Sequence, residues 1–228
     1  MKDQYKQLLD LFVLKEENDK YNQIWQRSPF TFDFKTAATN GRSVVIIPGK
    51  FKGRSYQFQD GSKYMLEIKD YSKNLWIDIP VAWLIKSIGL IPMISSSCPE
   101  CGGSGKGIWE YQNGNQYYER IDDCPACDGY SVRDRFDNIF DGKVYSMDEG
   151  VKIGNHIFRG NNLIELVKAA EVLEVDVITM ISQTKKHDKT VFKIGNVEVF
   201  SMPFSSEIKA TAVADFGQYL LNEMKEEK

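Results

Sequence analysis

The chain has four cysteines, and their spacing is that of a metal site. They form two C-x-x-C pairs, Cys98-Pro-Glu-Cys101 and Cys124-Pro-Ala-Cys127. Two pairs at about this separation are typical of tetrahedral zinc bound by four thiolates, with each pair supplying two ligands from one tight turn. Four thiolates fill the coordination sphere and leave no position for water or substrate. The cysteines therefore predict one zinc ion with a structural role.

A redox dithiol is the alternative explanation of a C-x-x-C pair. Such a dithiol normally opens a helix directly after a strand, and Pro99 and Pro125 alone do not supply this context. The segment between the pairs favours zinc, because Asn113-Gly114 is a two-residue turn signal between strand-like runs at 108–112 and 115–121. A hairpin that turns there brings the two cysteine pairs to one end.

Other chemistry has little support in the sequence. The only histidines are His156 and His187, which excludes multi-histidine metal sites. No G-x-S-x-G, H-E-x-x-H or dinucleotide fingerprint is present. The glycine-rich run at 102–107 fails the phosphate-loop pattern, because Glu100 stands where that pattern needs glycine and Gly107 where it needs Ser or Thr. We therefore predict a protein that is not an enzyme.

Length and charge allow one or two domains and exclude a globally basic binder. The chain has 228 residues, with 29 Lys and Arg against 32 Asp and Glu. Contact with nucleic acid would need a local basic patch, and two loops are candidates. Their basic residues are Lys50, Lys52 and Arg54 in one loop and Lys185, Lys186 and Lys189 in the other. The ordinary explanation of each cluster is a solvated loop.

The pattern of apolar residues predicts a mixture of helices and strands before the first cysteine pair. Tyr5, Leu8, Leu9 and Phe12 mark one face of an N-terminal helix. The predicted elements are a helix over 3–16, strands over 30–34 and 43–47, a hairpin of 56–59 with 63–68, and a helix over 81–88 bounded by Pro80 and Gly89.

After the second pair the predicted order is β-α-β-β-β followed by a helix. Asn162 and Glu165 are spaced as a capping box. The predicted elements are strands over 144–148 and 151–158, a helix over 163–173, strands over 177–182, 190–194 and 197–202, and a final helix over 207–224.

A weak internal echo suggests two related halves. The first half contains Phe34-Lys35, then a turn at Asn40-Gly41, then a strand ending at Pro48. The second half contains the same features in the same order: Phe192-Lys193, a turn at Gly195-Asn196 and a strand ending at Pro203. The fold class expected is therefore α+β, with two βαβββ-like halves and an inserted four-cysteine zinc β-hairpin. The expected domains are 1–95, 96–132 and 133–228.

The cysteine segment resembles the DnaJ-type cysteine-rich domain. Cys98-Pro-Glu-Cys101-Gly-Gly-Ser-Gly105 matches its C-x-x-C-x-G-x-G unit, and the second pair matches it except that Ser131 replaces the last glycine. That family carries four such units and a J-domain with His-Pro-Asp, whereas this chain has two units and lacks that tripeptide. The resemblance implies one zinc bound by Cys98, Cys101, Cys124 and Cys127.

The two halves resemble those of DNA sliding clamps. Glu198-Val-Phe-Ser-Met-Pro-Phe204 is similar to the closing strand of bacterial clamps, and Ala38-Thr-Asn-Gly-Arg42 is similar to their Ala-Thr-Asp-Gly-His turn. Phage-encoded proteins that combine such halves with a DnaJ-like hairpin are similar to this chain. A bacterial-type clamp chain has three domains, so the resemblance implies that a ring of this shorter chain would need more subunits.

Two functions follow as hypotheses. One is a DNA-associated clamp-like replication accessory, with helices facing double-stranded DNA, possible homo-oligomers and replication proteins as partners. The other is a zinc-stapled interaction module, DnaJ-like or co-chaperone-like, whose hairpin offers an aromatic surface to a peptide; the ordinary explanation of those aromatics is packing within the fold. That surface comprises Trp109, Tyr111, Tyr117 and Tyr118. Without a signal peptide or a membrane span in the sequence, we expect a cytoplasmic protein of a bacterium or a phage-infected cell.

Overall fold

The computed structural model describes residues 2–13, 28–32, 34–41, 43–50, 54–55, 75–95, 97–114, 116–126, 143–146, 148–182, 190–204 and 210–226. The chain divides into two compact units, one made of Met1–Ile91 with Met147–Lys228 and the other of Pro92–Ser146. Among the described helices, none combines the length and the apolar character that a membrane crossing requires.

The first unit is α+β, as predicted. Its helices are α1 (Lys2–Leu11), α2 (Val81–Ile88), α3 (Gly160–Leu173) and α4 (Phe216–Glu226). Its strands are β1 (Phe30–Phe32), β2 (Lys35–Thr39), β3 (Ser43–Pro48), β4 (Arg54–Ser55), β5 (Leu75–Pro80), β10 (Glu149–Ile153), β11 (His156–Arg159), β12 (Val177–Ser182), β13 (Thr190–Ile194), β14 (Val197–Ser201) and β15 (Thr211–Asp215).

Eight of these strands form one sheet in the order β4-β1-β2-β3-β14-β13-β12-β5. All neighbours are antiparallel except β1 and β4. The hairpin β2-β3 comes from the first part of the chain and the hairpin β13-β14 from the last part, and they join where β3 pairs with β14. The predicted order β-α-β-β-β is confirmed by β11, α3, β12, β13 and β14.

The centre of the sheet is buried on both faces. Val45, Ile46 and Ile47 of β3 are consecutive and at most 3% exposed, although their side chains alternate between the two faces. A strand covered on both sides is apolar along its whole length, as β3 is. One face carries α1, which packs against β2 and β3, and α3, which packs against β13 and α1.

The N-terminal helix buries the apolar face that its sequence predicts. Tyr5, Leu8, Leu9 and Phe12 are all 6% exposed or less. The second helix also has its predicted bounds, Val81–Ile88, with Pro80 at the N-cap and the Gly89 amide donating to the carbonyl of Ile85. A proline before the first turn has no amide to leave unpaired, so it suits this position.

The start of α3 differs from the prediction. The helix begins at Gly160 with Arg159 as its N-cap, and no side chain caps it. Asn162 Nδ2 instead donates to the carbonyl of Met202 at 2.8 Å. Glu165 Oε1 accepts a hydrogen bond from Asn40 at 2.6 Å. The predicted capping box was wrong because tertiary partners use both side chains.

Two further elements depart from the predicted pattern. The segment predicted to begin the last helix contains β15, which pairs parallel with β10, and α4 starts only at Phe216. The single strand predicted over 151–158 is a hairpin of β10 and β11 that turns at Gly154-Asn155, with Gly154 at φ 60°. The predicted hairpin of 56–59 with 63–68 lies outside the described residues.

The described residues of the second unit form two strand pairs. Its strands are β6 (Met93–Ser95), β7 (Lys106–Asn113), β8 (Gln116–Asp123) and β9 (Lys143–Tyr145). The strands β6 and β9 pair antiparallel, and β7 and β8 form a long hairpin between the two cysteine pairs. The sequence predicted this hairpin with Asn113 in its turn, but Asn113 pairs with Gln116 and belongs to β7.

Candidate metal centre and its hairpin

Three cysteine thiols meet at the base of the β7-β8 hairpin. The sulfurs of Cys98, Cys101 and Cys124 all lie within 4.8 Å of one another. Cys98 and Cys124 are each 1% exposed, and their sulfurs are 3.9 Å apart. A disulfide needs about 2.05 Å between sulfurs, so these three cysteines are not joined to one another by disulfides.

This geometry fits a tetrahedral metal ion bound by thiolates. Zinc–sulfur bonds of about 2.3 Å place neighbouring sulfurs of a tetrahedron about 3.8 Å apart. The distance between Cys98 and Cys124 is close to that value. The three described cysteines could therefore hold a metal ion, and the fourth predicted ligand, Cys127, lies outside the described residues.

The turn after the first cysteine pair directs the backbone toward a thiol sulfur. The amide of Gly105 donates to Cys101 Sγ at 3.3 Å. Gly102 and Gly105 have φ values of 59° and 71°, a conformation that glycine adopts without steric cost. The carbonyl of Gly105 accepts from the Cys124 amide at 3.0 Å, which ties the two cysteine turns together. An amide that donates to sulfur stabilises the thiolate form that a metal requires.

Ion pairs lie at the base of the hairpin beside the cysteines, and one of them crosses between the strands. Lys106 and Asp123 are opposite each other, with Lys106 Nζ 2.6 Å from Asp123 Oδ1. The hydrogen bond to Asp123 raises the pKa of Lys106. The Asp123 amide and then the Arg120 guanidinium lower the pKa of Asp122. The Lys106–Asp123 pair joins the two strands, whereas Arg120 and Asp122 both lie in β8, and exposed pairs of either kind contribute little stability.

The hairpin separates the predicted partner-binding aromatics onto two faces. Side chains alternate along each strand, so Trp109, Tyr111 and Tyr118 share one face and Tyr117 lies on the other. Tyr111 and Tyr118 are opposite each other and stack with ring centroids 5.4 Å apart. The indole of Trp109 donates to the carbonyl of Asp123 at 3.4 Å.

The opposite face is also apolar and exposed. Ile108 and Ile121 form one cross-strand pair there and are 70% and 73% exposed. Next to them Glu110 and Glu119 stand opposite each other, and Tyr117 follows toward the turn with 80% of its surface exposed. Like charges in opposite positions destabilise a hairpin, so this face is not optimised for the stability of the hairpin alone.

Only one of the six predicted DNA-contacting residues has a described side chain. Lys50 is exposed after β3, and its ammonium lies 4.5 Å from the ring centroid of Phe34. The side chain of Arg54, whose backbone is in β4, lies outside the described set. The other four, Lys52, Lys185, Lys186 and Lys189, lie outside the described residues.

Phe34 is a residue that the sequence analysis did not single out as functional. It is 78% exposed and has φ 62°, a left-handed conformation that is a true outlier for a bulky side chain. The sequence predicted Phe34 as the last residue of a strand over 30–34, so only the backbone geometry identifies it as a strained turn residue. His156, by contrast, is 7% exposed and packs edge-on against Phe158.

Comparison with known proteins gives structural neighbours but no sequence match. Neither the family models nor the curated proteins compared with the chain give a match. Among solved structures, the chain is similar to the DNA polymerase sliding clamp from Bacillus subtilis, with 11% identity and a TM-score of 0.41 over 89% of this chain and 62% of that one. It is similar to the sliding clamp from Pseudomonas aeruginosa bound to griselimycin, with 10% identity, a TM-score of 0.42 and coverage of 88% and 63%.

A third neighbour is DNA polymerase III subunit beta from Borrelia burgdorferi, at 11% identity and a TM-score of 0.41, covering 90% of this chain and 63% of that one. The chain thus spans less than two thirds of the length of each of these three clamps.

Proposed function

We propose that the chain is a non-enzymatic, DNA-associated protein of the sliding-clamp kind that serves as a replication or processivity accessory. The observation that carries the proposal is the reciprocal contact between its two halves. The turn of the β2-β3 hairpin bonds to α3 through Asn40 and Glu165, and the turn of the β13-β14 hairpin bonds to α1 through Asn196 and Tyr5. Each half thereby anchors the helix of the other.

The pairing of β3 with β14 produces a continuous sheet, and α1 and α3 pack together on one of its faces. Such a layer can present its helices to a duplex while the sheet forms the outer wall, which is the arrangement expected of a clamp-like protein. The helices α1, α2 and α3 carry balanced charge: the cations are Lys2, Lys6, Lys86 and Lys168, and the anions are Asp3, Asp10, Glu165 and Glu171. Contacts to phosphates must therefore come mainly from the basic loops.

Charge reversal in the loop after β3 tests the proposal. The triple variant Lys50→Glu, Lys52→Glu, Arg54→Glu should weaken binding to a 20-base-pair duplex equally for all sequences, measured by fluorescence anisotropy at low salt. Loss of three phosphate contacts should reduce the slope of log affinity against log salt by about 3. Lys143→Glu, an exposed lysine of β9, is the control and should change little.

Two results would contradict this role. If the wild-type protein binds no duplex at low salt, the proposed association with DNA is wrong. If the triple variant keeps the wild-type affinity and salt slope, these three residues do not contact DNA. The same measurement on the variant Lys185→Glu, Lys186→Glu, Lys189→Glu then tests the second loop.

The exposed hairpin supports a second candidate function. Trp109, Tyr111 and Tyr117 are 45%, 52% and 80% exposed, and aromatic side chains are enriched at protein interfaces. A DnaJ-like hairpin stapled by one zinc ion, with Cys98, Cys101, Cys124 and Cys127 as ligands, would hold these side chains rigidly for an unfolded or extended polypeptide.

A chaperone assay separates the two candidates. If the hairpin binds unfolded polypeptide, the protein should suppress aggregation of heat-denatured citrate synthase at high and low salt alike, and the double variant Trp109→Ala, Tyr111→Ala should lose that activity. Gln112→Ala, an exposed neighbour in β7, is the matched control. Wild-type protein without any suppression would rule out a co-chaperone-like role.

A further inference from the structure

Phe34 has a strained backbone conformation, and burial of its side chain does not compensate for that strain. It lies between β1 and β2, with φ 62° and 78% of its surface exposed. Glycine would adopt this backbone without the clash that a Cβ brings, and an exposed ring gains almost nothing from burial. Outliers of this kind occur where surrounding structure enforces them, and they are concentrated at functional sites.

Neighbouring hydrogen bonds enforce the conformation of Phe34. The carbonyl of Phe34 accepts from the Gly49 amide at 3.1 Å. The carbonyl of Gly49 in turn accepts from the hydroxyl of Thr36 at 2.8 Å, and Lys35 is paired in register with Pro48. The turn that carries Phe34 is therefore tied to the loop that carries Lys50. The ring is presented to solvent by a fixed support rather than by a free loop.

The surroundings of the ring are cationic. The Lys50 ammonium lies 4.5 Å from the centroid of the Phe34 ring. Lys35, the next residue, is about half-exposed, and its ammonium is 3.9 Å from a carboxylate oxygen of Glu198. An exposed aromatic ring among cations is the combination with which proteins bind single-stranded nucleic acid: the ring stacks on a base, and the cations contact phosphates.

We propose that Phe34 stacks on an unpaired base of DNA while Lys50 contacts the adjacent phosphate. The inference rests on the proposed association with DNA and adds to it a preference for single-stranded segments, such as the end of a duplex with an overhang. A base has an aromatic face in every sequence, so the contact is tolerant of sequence. The alternative is that the Phe34 ring binds in a pocket of a partner protein. In that case, substitution of Phe34 would affect single-stranded and duplex DNA binding alike.

Three variants of Phe34 isolate the stacking contact. Phe34→Gly removes the ring and suits the backbone, Phe34→Leu removes aromaticity, and Phe34→Tyr keeps a stacking ring. Affinity should be measured by anisotropy for a fluorescent dT20 single strand and for a 20-base-pair duplex. One stacked base corresponds to roughly a 5- to 150-fold change in affinity. We expect a loss of that size for dT20 with Gly and Leu, near-wild-type affinity with Tyr, and little change for the duplex.

The pattern of results distinguishes this inference from the proposed function. Wild-type protein that binds neither DNA contradicts both. Wild-type protein that binds both DNAs while Phe34→Gly leaves dT20 affinity unchanged overturns stacking and leaves the DNA-associated role standing. An equal loss for duplex and single strand, accompanied by a lower urea midpoint, assigns Phe34 a structural role and also overturns the inference. Leu90→Ala, which removes another exposed apolar side chain, is the control and should match wild type.

Discussion

At the scale of single residues, the chemistry of the chain is concentrated in its cysteines. Two sulfurs that come from turns far apart in the sequence, Cys98 and Cys124, are buried together 3.9 Å apart at the base of an otherwise exposed hairpin. The hairpin itself has little core, because most of its apolar side chains face solvent. A bound metal would therefore supply the crosslink that packing does not.

Replacing one buried ligand should remove the metal. Cys98→Ser or Cys124→Ser is expected to lose one zinc per chain in elemental analysis and to expose the hairpin to proteolysis, because three remaining ligands bind more weakly than four. Ser97→Ala, at the exposed position before the first cysteine, should keep the metal. Wild-type protein purified without any stoichiometric metal, or unchanged zinc content in both serine variants, would contradict the site.

Asp215 gives a second prediction at this scale. Its carboxylate accepts from Lys152 Nζ at 2.7 Å and from the Gly217 amide at 2.9 Å at the start of α4. The hydrogen bond from Lys152 is the main cause that lowers the pKa of Asp215 below its ordinary value of 3.8. The stabilisation is therefore complete above pH 3.8 and is lost as the pH falls through the lower pKa of the folded state.

Asp215→Ala should consequently cost about 1 kcal/mol in the free energy of unfolding at pH 7. Urea titrations at several pH values should show this difference shrinking below pH 4, since the protonated aspartic acid of the wild type no longer makes these interactions as a carboxylate. Glu223→Gln, at an exposed position of the same helix, is the control and should leave the free energy of unfolding at pH 7 unchanged. A difference between wild type and Asp215→Ala that is constant from pH 7 to pH 3 would contradict the assignment.

At the scale of elements, each hairpin turn bonds to a helix from the other half of the chain: the β2-β3 turn bonds to α3, and the β13-β14 turn bonds to α1. Asn196 Nδ2 donates to the Tyr5 hydroxyl at 2.6 Å, and Asn40 Nδ2 donates to Glu165 at 2.6 Å. Asn40 also accepts from the Ser43 amide at 3.0 Å, which closes the β2-β3 turn. One residue in each turn thus couples the halves, so the halves are expected to unfold together rather than separately.

A double-mutant cycle tests this coupling. Asn196→Ala and Tyr5→Phe should each cost about 1 kcal/mol in unfolding free energy, and the double variant should cost less than their sum. Asn40→Ala should cost more than Asn196→Ala because it loses two hydrogen bonds. Asn155→Ala, in the exposed β10-β11 turn, is the control. Strict additivity of the pair in urea titrations would show that the observed hydrogen bond does not couple the halves.

Elements with strong local signals were predictable from the sequence, and elements fixed by distant contacts were not. The apolar face of α1 and the proline and glycine that bound α2 lie within or next to the helices themselves, so the sequence predicts where both helices are. The strand β15 reads locally as part of a helix, and only its pairing with β10 makes it extended. The cysteine spacing predicted that Cys98, Cys101 and Cys124 lie together, whereas the strained backbone of the exposed Phe34 is visible only in the structure.

At the scale of the whole molecule, the chain consists of two compact units, and the candidate metal centre belongs to the smaller one. The predicted domains 1–95, 96–132 and 133–228 stay a prediction. The proposed clamp-like role implies a closed ring around DNA, and we expect the 228-residue chain to need several copies to complete one. The second candidate, an adaptor that presents its hairpin, requires no assembly.

The mass of the protein in solution therefore tests the central proposal most directly. Light scattering coupled to size-exclusion chromatography, repeated over a range of micromolar concentrations with and without duplex DNA, gives the number of copies per particle. The clamp-like function predicts a defined oligomer at a whole-number multiple of the 26.1 kDa chain. A particle of 26.1 kDa at every concentration, unchanged by DNA, would contradict it.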